Sequence, residues 1–374
     1  VHLSPDAVHT PADRVRRLFA HPIVQAPMAG VTTPELAAAV SNAGGLGSLG
    51  IGGADPDRAR EAIRATRGLT DRPFAVGFFT HAEPRRDAAV EAAWLELLAP
   101  EFTRLGAEPP TTLQPIYPSA AVDDANTARL VDALVAERPA AVSFHFGLPA
   151  PGVIDHLHEA DIAVLVTATD LAEGLAVQRA GADAVVAQGV EAGGHRGVFT
   201  PDRDERIGTL PLVRQLAARL RIPVVAAGGI SDGAGIAAAL DLGAAAAQLG
   251  TAFLLAPEAA TGTAWRERIR AAAAHPDTDA AHTAITRAVS GRPARGLPGR
   301  LAKLAREGAE RGIRTPDYPL AYSASKALAR AAAAAGRPSA FAAHWAGQAV
   351  AETRELPAGE LVRVLVDELR GARG

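Results

Sequence analysis

The chain repeats one unit: a short apolar run, a glycine-rich turn, then an alanine- and leucine-rich helix. The runs are PIVQAPM (22–28), GLGSLG (45–50), PFAVGFF (73–79), AAVSFHFG (140–147), AVLVTAT (163–169), ADAVVAQG (182–189), PVVAAGG (223–229) and AAAAQLGT (244–251). Most are continuous rather than alternating, the pattern of parallel strands buried on both faces. Helices are expected at 33–43, 55–67, 123–137, 151–160, 170–180, 209–220 and 231–241. Thr33 before Pro34, Asp170 and Ser231 are the expected caps of three of them. Eight units of this kind favour an α/β fold closed as a (β/α)8 TIM barrel over a doubly wound sheet. GLGSLG also satisfies GxGxxG, through Gly45, Gly47 and Gly50. A dinucleotide fingerprint follows a strand and opens a helix, whereas this stretch follows a helix and is itself the strand.

Two stretches break the alternation. Residues 80–122 hold a helix near 86–99 and the proline-rich EPPTTLQPIYPSA, and residues 256–374 read as helical, interrupted by SGRPARGLPGR (290–300) and RTPDYP (314–319). No flexible linker precedes either. The expected organisation is a barrel over 15–255, including the 80–122 insertion after the third strand, with 256–374 as a helical cap packed on it. A net charge of -3 implies no nucleic-acid partner, and the absence of cysteine excludes disulfides, thiolate metal sites and a cysteine nucleophile. The N-terminal VHLSPDAVHTPADRVRR has no apolar core of a secretory leader, and no long uncharged apolar run occurs. A soluble, cytoplasmic monomer or homodimer without membrane partners is expected.

Barrel ligands meet the carboxyl ends of the strands. Gln25, Pro27 and Met28 end the first run, and Gln188 ends the sixth. AQGVEAGGHRG (187–197) then places four glycines around His195, more than a surface turn needs, as if backbone must approach something flat or charged. AAGGIS (226–231) ends the seventh run and opens a helix, whose N–H groups would face an anion; Gly250 and Thr251 add donors from the eighth. Such a cup suits a planar, phosphorylated ligand. His195 is either a solvated loop histidine or a proton acceptor, and its glycine mount favours the second. His145 reads as an inward strand histidine satisfied by hydrogen bonds. His156 and His158 alone make no metal site. Glu191 reads as the partner of Arg196, and Gln188 and Gln248 are placed to bind a heterocycle's polar edge.

These residues resemble the nitronate monooxygenase family, once called 2-nitropropane dioxygenases. The resemblance rests on QAPMAGVTTPELAAAVSNAGGLGSLG (25–50), SFHFGLP (143–149), AQGVEAGGHRG (187–197), PVVAAGGISDG (223–233) and AAAAQLGTAFLLAPEA (244–259). PARGLPGR (293–300), DYP (317–319), Lys326 and WAGQ (345–348) are similar to motifs of its bacterial and protist class. The resemblance implies FMN as cofactor. Gln25, Pro27, Met28, Gly77, Gln188, Gly193, Gly194, Gly228, Gly229, Gln248, Leu249, Gly250 and Thr251 would surround it. His195 would be the catalytic residue, with His145, Tyr318 and Lys326 lining the substrate site, and no metal. Members often carry asparagine where this chain has Gly77.

The implied activity is oxidation of alkyl nitronates such as propionate 3-nitronate by O2, giving a carbonyl compound and nitrite through an anionic flavosemiquinone. Two alternatives stay open: an NAD(P)H-dependent enoyl-thioester or quinone reductase of the same barrel family, and a non-redox phosphate-ligand barrel such as a phosphosugar isomerase.

Overall fold

The computed structural model describes residues 10–53, 55–122 and 124–374; most of the segment read for a leader, and the first position of the helix expected at 123, lie outside them. Eight strands make one parallel sheet: β1 (Ile23–Gln25), β2 (Gly47–Gly52), β3 (Phe74–Phe79), β4 (Ala141–His145), β5 (Ala163–Ala168), β6 (Ala184–Gln188), β8 (Val224–Ala227) and β9 (Ala246–Leu249). The remaining three, β7 (Gly194–His195), β10 (Ala284–Thr286) and β11 (Ala294–Gly296), form a small antiparallel sheet. The large sheet runs β1-β9-β8-β6-β5-β4-β3-β2. Its ends meet through a parallel Val24–Leu46 bridge, with Gln25 N donating to Leu46 O at 2.9 Å, so the barrel closes. All eight expected runs are barrel strands.

Inward side chains fill the strand-start end. Val24, Ala75, Leu165, Val186 and Val225 meet Val15, in helix Pro11–Arg16, and Leu18 just after it. The far end is left for a ligand.

Residues 256–374 serve two parts of the molecule. Helices Arg300–Ala309 and Leu320–Ala334 pack with Ala88–Arg104 around Trp94, Leu98, Phe102, Leu304 and Leu328, so the cap is built jointly with the insertion after β3. Helix Ala358–Arg373 instead sits on the barrel, between Pro34–Asn42 and Gly233–Asp241, burying Leu361, Val362, Leu365 and Leu369. It occupies the outer position of the eighth barrel helix.

Two local expectations are corrected. The insertion helix runs through Pro100 to Arg104 rather than ending at 99, because Pro100 faces outward while Phe102 is locked into the cap core. That burial outweighs the lost hydrogen bond. The cap of helix Gly233–Asp241 is Asp232, not Ser231: the Asp232 Oδ1 accepts from Gly235 N at 2.7 Å. Thr33 and Asp170 cap as expected.

Candidate active site

A cavity of about 450 Å³ opens at the carboxyl ends of the barrel strands, beneath the cap. That volume belongs to small-molecule sites. Pro27, Met28, Gly77, His145, Gln188, Gly193, Gly194, His195, Gly228, Gly229, Gln248, Leu249, Gly250, Thr251 and Lys326 all line it.

One end is a cup of backbone donors. Among the described residues, the N–H groups of Gly229, Ile230, Gly250 and Thr251 have no acceptor, and all four residues face the cavity. An anion there would satisfy them. The expected source of these donors was the long helix after β8, and this is corrected. That helix's Gly235 N is taken by Asp232, and its Gly233 N by Glu368 Oε2 at 2.9 Å, itself paired with Arg354 at 2.7 Å. The free donors lie in the loop before it and at the short 3-10 turn Thr251–Phe253.

His195 lines the other half. Its Nε2 lies 2.9 Å from Ser290 Oγ, and Phe146, Tyr318 and Trp345 hold its ring at centroid distances of 5.6, 5.6 and 5.2 Å. Burial first, then the fields of His145, Arg292 and His81, lowers its pKa to about 3. The imidazole is neutral at ordinary pH. Arg292 is itself buried and forms no ion pair among the described residues; its guanidinium stacks 4.2 Å from the Phe146 ring centre and donates to the Val198 and Phe199 carbonyls. Burial holds it down to about 10, so it stays charged.

The loop carrying His195 is tied from within. Gln188 Oε1 accepts from Gly197 N at 2.7 Å and its Nε2 donates to His195 O at 3.0 Å, so this amide orients the loop. Gln248 lines the same cavity, and its side chain makes no hydrogen bond to a described residue. His145 is satisfied at both nitrogens, by Thr167 Oγ1 at 3.0 Å and His195 O at 3.1 Å. Lys326 Nζ donates to Tyr117 Oη at 2.5 Å, lies over the Tyr117 and Tyr322 rings, and has no carboxylate partner among the described residues.

Several placements differ from expectation. Gln25 is fully buried and does not reach the cavity; its Oε1 accepts from Ser48 N at 2.9 Å and its Nε2 donates to Ala26 O, tying β1 to β2. Tyr318 lies behind His195 rather than on the wall, its hydroxyl buried without a partner among the described residues; Tyr322, in the first turn of helix Leu320–Ala334, takes the wall position with Tyr117. Gly193 is tight against protein: a Cβ there would stand 2.5 Å from Gly347 N. Gly194, which also lines the cavity, has φ +76° and open space where a Cβ would be. Glu191 does not pair with Arg196. It accepts from Thr209 N and from Thr209 Oγ1 at 2.8 Å, while Arg196 is held by Asp204 at 3.0 Å. His158 pairs with Asp183 at 2.8 Å, and no metal-holding cluster occurs among the described residues. Sequence reasoning missed Ser290, Arg292, Tyr117, Tyr322 and Phe79. The first two stand in the SGR that opens SGRPARGLPGR (290–300), read only as an interruption of the helical region, just ahead of the PARGLPGR motif.

The nitronate monooxygenase family model matches residues 14–368. The chain is 54% identical to a nitronate monooxygenase of Pseudomonas aeruginosa, covering 96% of this chain and 99% of that one. It is 52% identical to one of Paraburkholderia phytofirmans, covering 93% and 92%. Among solved structures, a nitroalkane oxidase from Streptomyces ansochromogenes superposes with TM-score 0.84 at 41% identity, over 96% of this chain and 99% of that one. FabK from Thermotoga maritima superposes with TM-score 0.70 at 28% identity, over 98% of each. With the family model spanning the barrel and cap together, the chain belongs to the nitronate monooxygenase family, a family of oxidoreductases.

Proposed function

We propose that this cavity holds FMN and that the enzyme oxidises alkyl nitronates with O2 to a carbonyl compound and nitrite. One observation carries the reading: a single cavity joins N–H donors without an acceptor among the described residues at one end to a neutral imidazole and a lysine with no carboxylate partner among them at the other. The residues fit the group. Gly229, Ile230, Gly250 and Thr251 would hold the phosphate, and Met28, Gly194 and Gln248 would border the ring system. A Cβ at Gly77 would meet Pro27 Cβ at 2.6 Å, so this chain fills with proline the space beside that strand. When bound, FMN accepts electrons from the substrate carbon and passes them to O2.

The chain's own residues do the rest. Lys326 offers a positive charge to the anionic substrate, whose desolvation it offsets. His195, neutral, accepts the proton of a nitroalkane that arrives undissociated, and the nitronate anion left beside it supplies the negative charge that an imidazolium in this pocket otherwise lacks. Phe79, Tyr117, Tyr322, Phe341 and Trp345 wall the site with apolar surface and keep bulk water from it.

The test is the ligand released by heat from the purified protein, followed by anaerobic mixing with propionate 3-nitronate. FMN by mass, with bleaching of the flavin band by the nitronate, is expected. FAD as main ligand, or a colourless protein that takes up no FMN, overturns the reading. Reduction by NADH but not by nitronate assigns the chain to the reductase alternative.

A further inference from the structure

We propose that Ser290 is a positioning residue that fixes the tautomer of His195, placing the proton on Nε2 and leaving the Nδ1 lone pair open to the cavity. The hydrogen-bond arithmetic around the hydroxyl carries this. Ser290 Oγ is completely buried and has three neighbours. It donates to Arg292 O at 3.2 Å, accepts from Arg292 N at 3.3 Å, and stands 2.9 Å from His195 Nε2. A hydroxyl has one proton, and the Arg292 carbonyl takes it. Toward His195 the oxygen can therefore only accept, so Nε2 is the nitrogen that carries hydrogen.

The opposite tautomer would set the Nε2 lone pair against an oxygen whose proton is committed elsewhere, or pull that proton from a buried carbonyl. Either leaves a buried polar group unmatched. On the other side of the ring, Nδ1 has no partner among the described residues and is open to the cavity. The ring is neutral, so one nitrogen bears a proton and one does not. The charged or titratable groups around it are His81, His145, Arg292, Tyr318, Tyr322 and Lys326, none of them a carboxylate that would stabilise an imidazolium.

The role in turnover rests on the function proposed above, but the tautomer does not. It is read by nitrogen NMR of the flavin-loaded protein labelled with 15N-histidine, with His195→Asn identifying the signals of that ring. The Nε2–H form is expected in the parent protein. Ser290→Ala moves the tautomer ratio toward Nδ1–H by roughly three- to tenfold, the reach of one net hydrogen bond. Ser290→Cys, a weaker acceptor of nearly the same shape, falls between. Ser290→Ala lowers kcat on a neutral nitroalkane by more than it does on the preformed nitronate, with the smaller change in KM. A parent ring in the Nδ1–H form overturns the proposal whether or not the variants fold. So does an unchanged tautomer ratio in Ser290→Ala or Ser290→Cys. If the tautomer behaves as expected but the protein does not oxidise nitronates, the positioning stands and the function falls.

Discussion

Lowering the pH from 7 to 5 should strip the enzyme of much of its stability, well before its surface carboxylates titrate. His81, His145 and His195 are buried at one site, and burial is the first cause that holds each ring below its ordinary 6.5: to about 4, about 4 and about 3. In the unfolded chain the same rings take up protons near 6.5. Between those values the unfolded state binds more protons, so the contribution to stability is full above 6.5 and is lost as pH falls toward 4. From pH 7 to pH 5 each ring costs about 2 kcal/mol, and the three together about 6 kcal/mol. A domain's whole stability is about 5–15 kcal/mol. Glu173, whose carboxyl is pushed up by burial, opposes this over part of the range. Urea unfolding of the purified protein at both pH values, followed by tryptophan fluorescence, measures the difference. His81→Gln should return about 2 kcal/mol of it. Unfolding free energies that agree within about 1 kcal/mol at the two pH values would refute the reasoning, because that is less than the cost of a single ring.

The two neighbouring glycines of the histidine loop should fail differently. Gly193→Val drives a side chain against Gly347 N and Ala346 C, costing about 1–3 kcal/mol or more of stability, seen as a lower melting temperature. Gly194→Ala strains a left-handed residue by about 1–2 kcal/mol and projects into the cavity, so flavin retention should fall more than the melting temperature does. His195→Asn should lower turnover of a neutral nitroalkane by about 10²–10⁴-fold and spare its nitronate, and equal losses on both would reject the base role. Lys326→Met should raise KM for an anionic nitronate and, by removing a cation, reduce the salt dependence of kcat/KM.

The barrel was legible because strands buried on both faces write themselves as continuous apolar runs, and because the turns that follow them need glycine. Met28, Gly194, His195 and Gly250 could be placed at the cavity for that reason alone: each stands at a strand end or just beyond one. What could not be read were partners brought from far along the chain. Glu368 blocks a helix terminus 135 residues away in sequence, and Ser290 reaches His195 across 95. Nothing in local periodicity predicts either. Gly193 lines the cavity, but the object close to its Cα hydrogen is a related case. Its composition announced a close approach, but not whether the approaching object was ligand or the Ala346–Gly347 backbone. Tyr318 precedes cap helix Leu320–Ala334 and Tyr322 stands in its first turn, and nothing in the local sequence decides which of the two faces the cavity.

The placement of helix Ala358–Arg373 against Pro34–Asn42 has a consequence for how the molecule assembles. Every cap element lies between these two helices in the chain, so the ring of barrel helices closes only around a cap already threaded through it. Contacts of such sequence separation are slow to form, since a long loop must be closed before they can stabilise anything. An incompletely closed barrel would expose the apolar flanks of helices Pro34–Asn42 and Gly233–Asp241 to neighbouring molecules. Refolding yield should therefore depend on protein concentration, and a circular permutant opened just before Ala358, in which helix Ala358–Arg373 precedes β1 and helix Pro34–Asn42 in the chain, should refold faster at the same final stability.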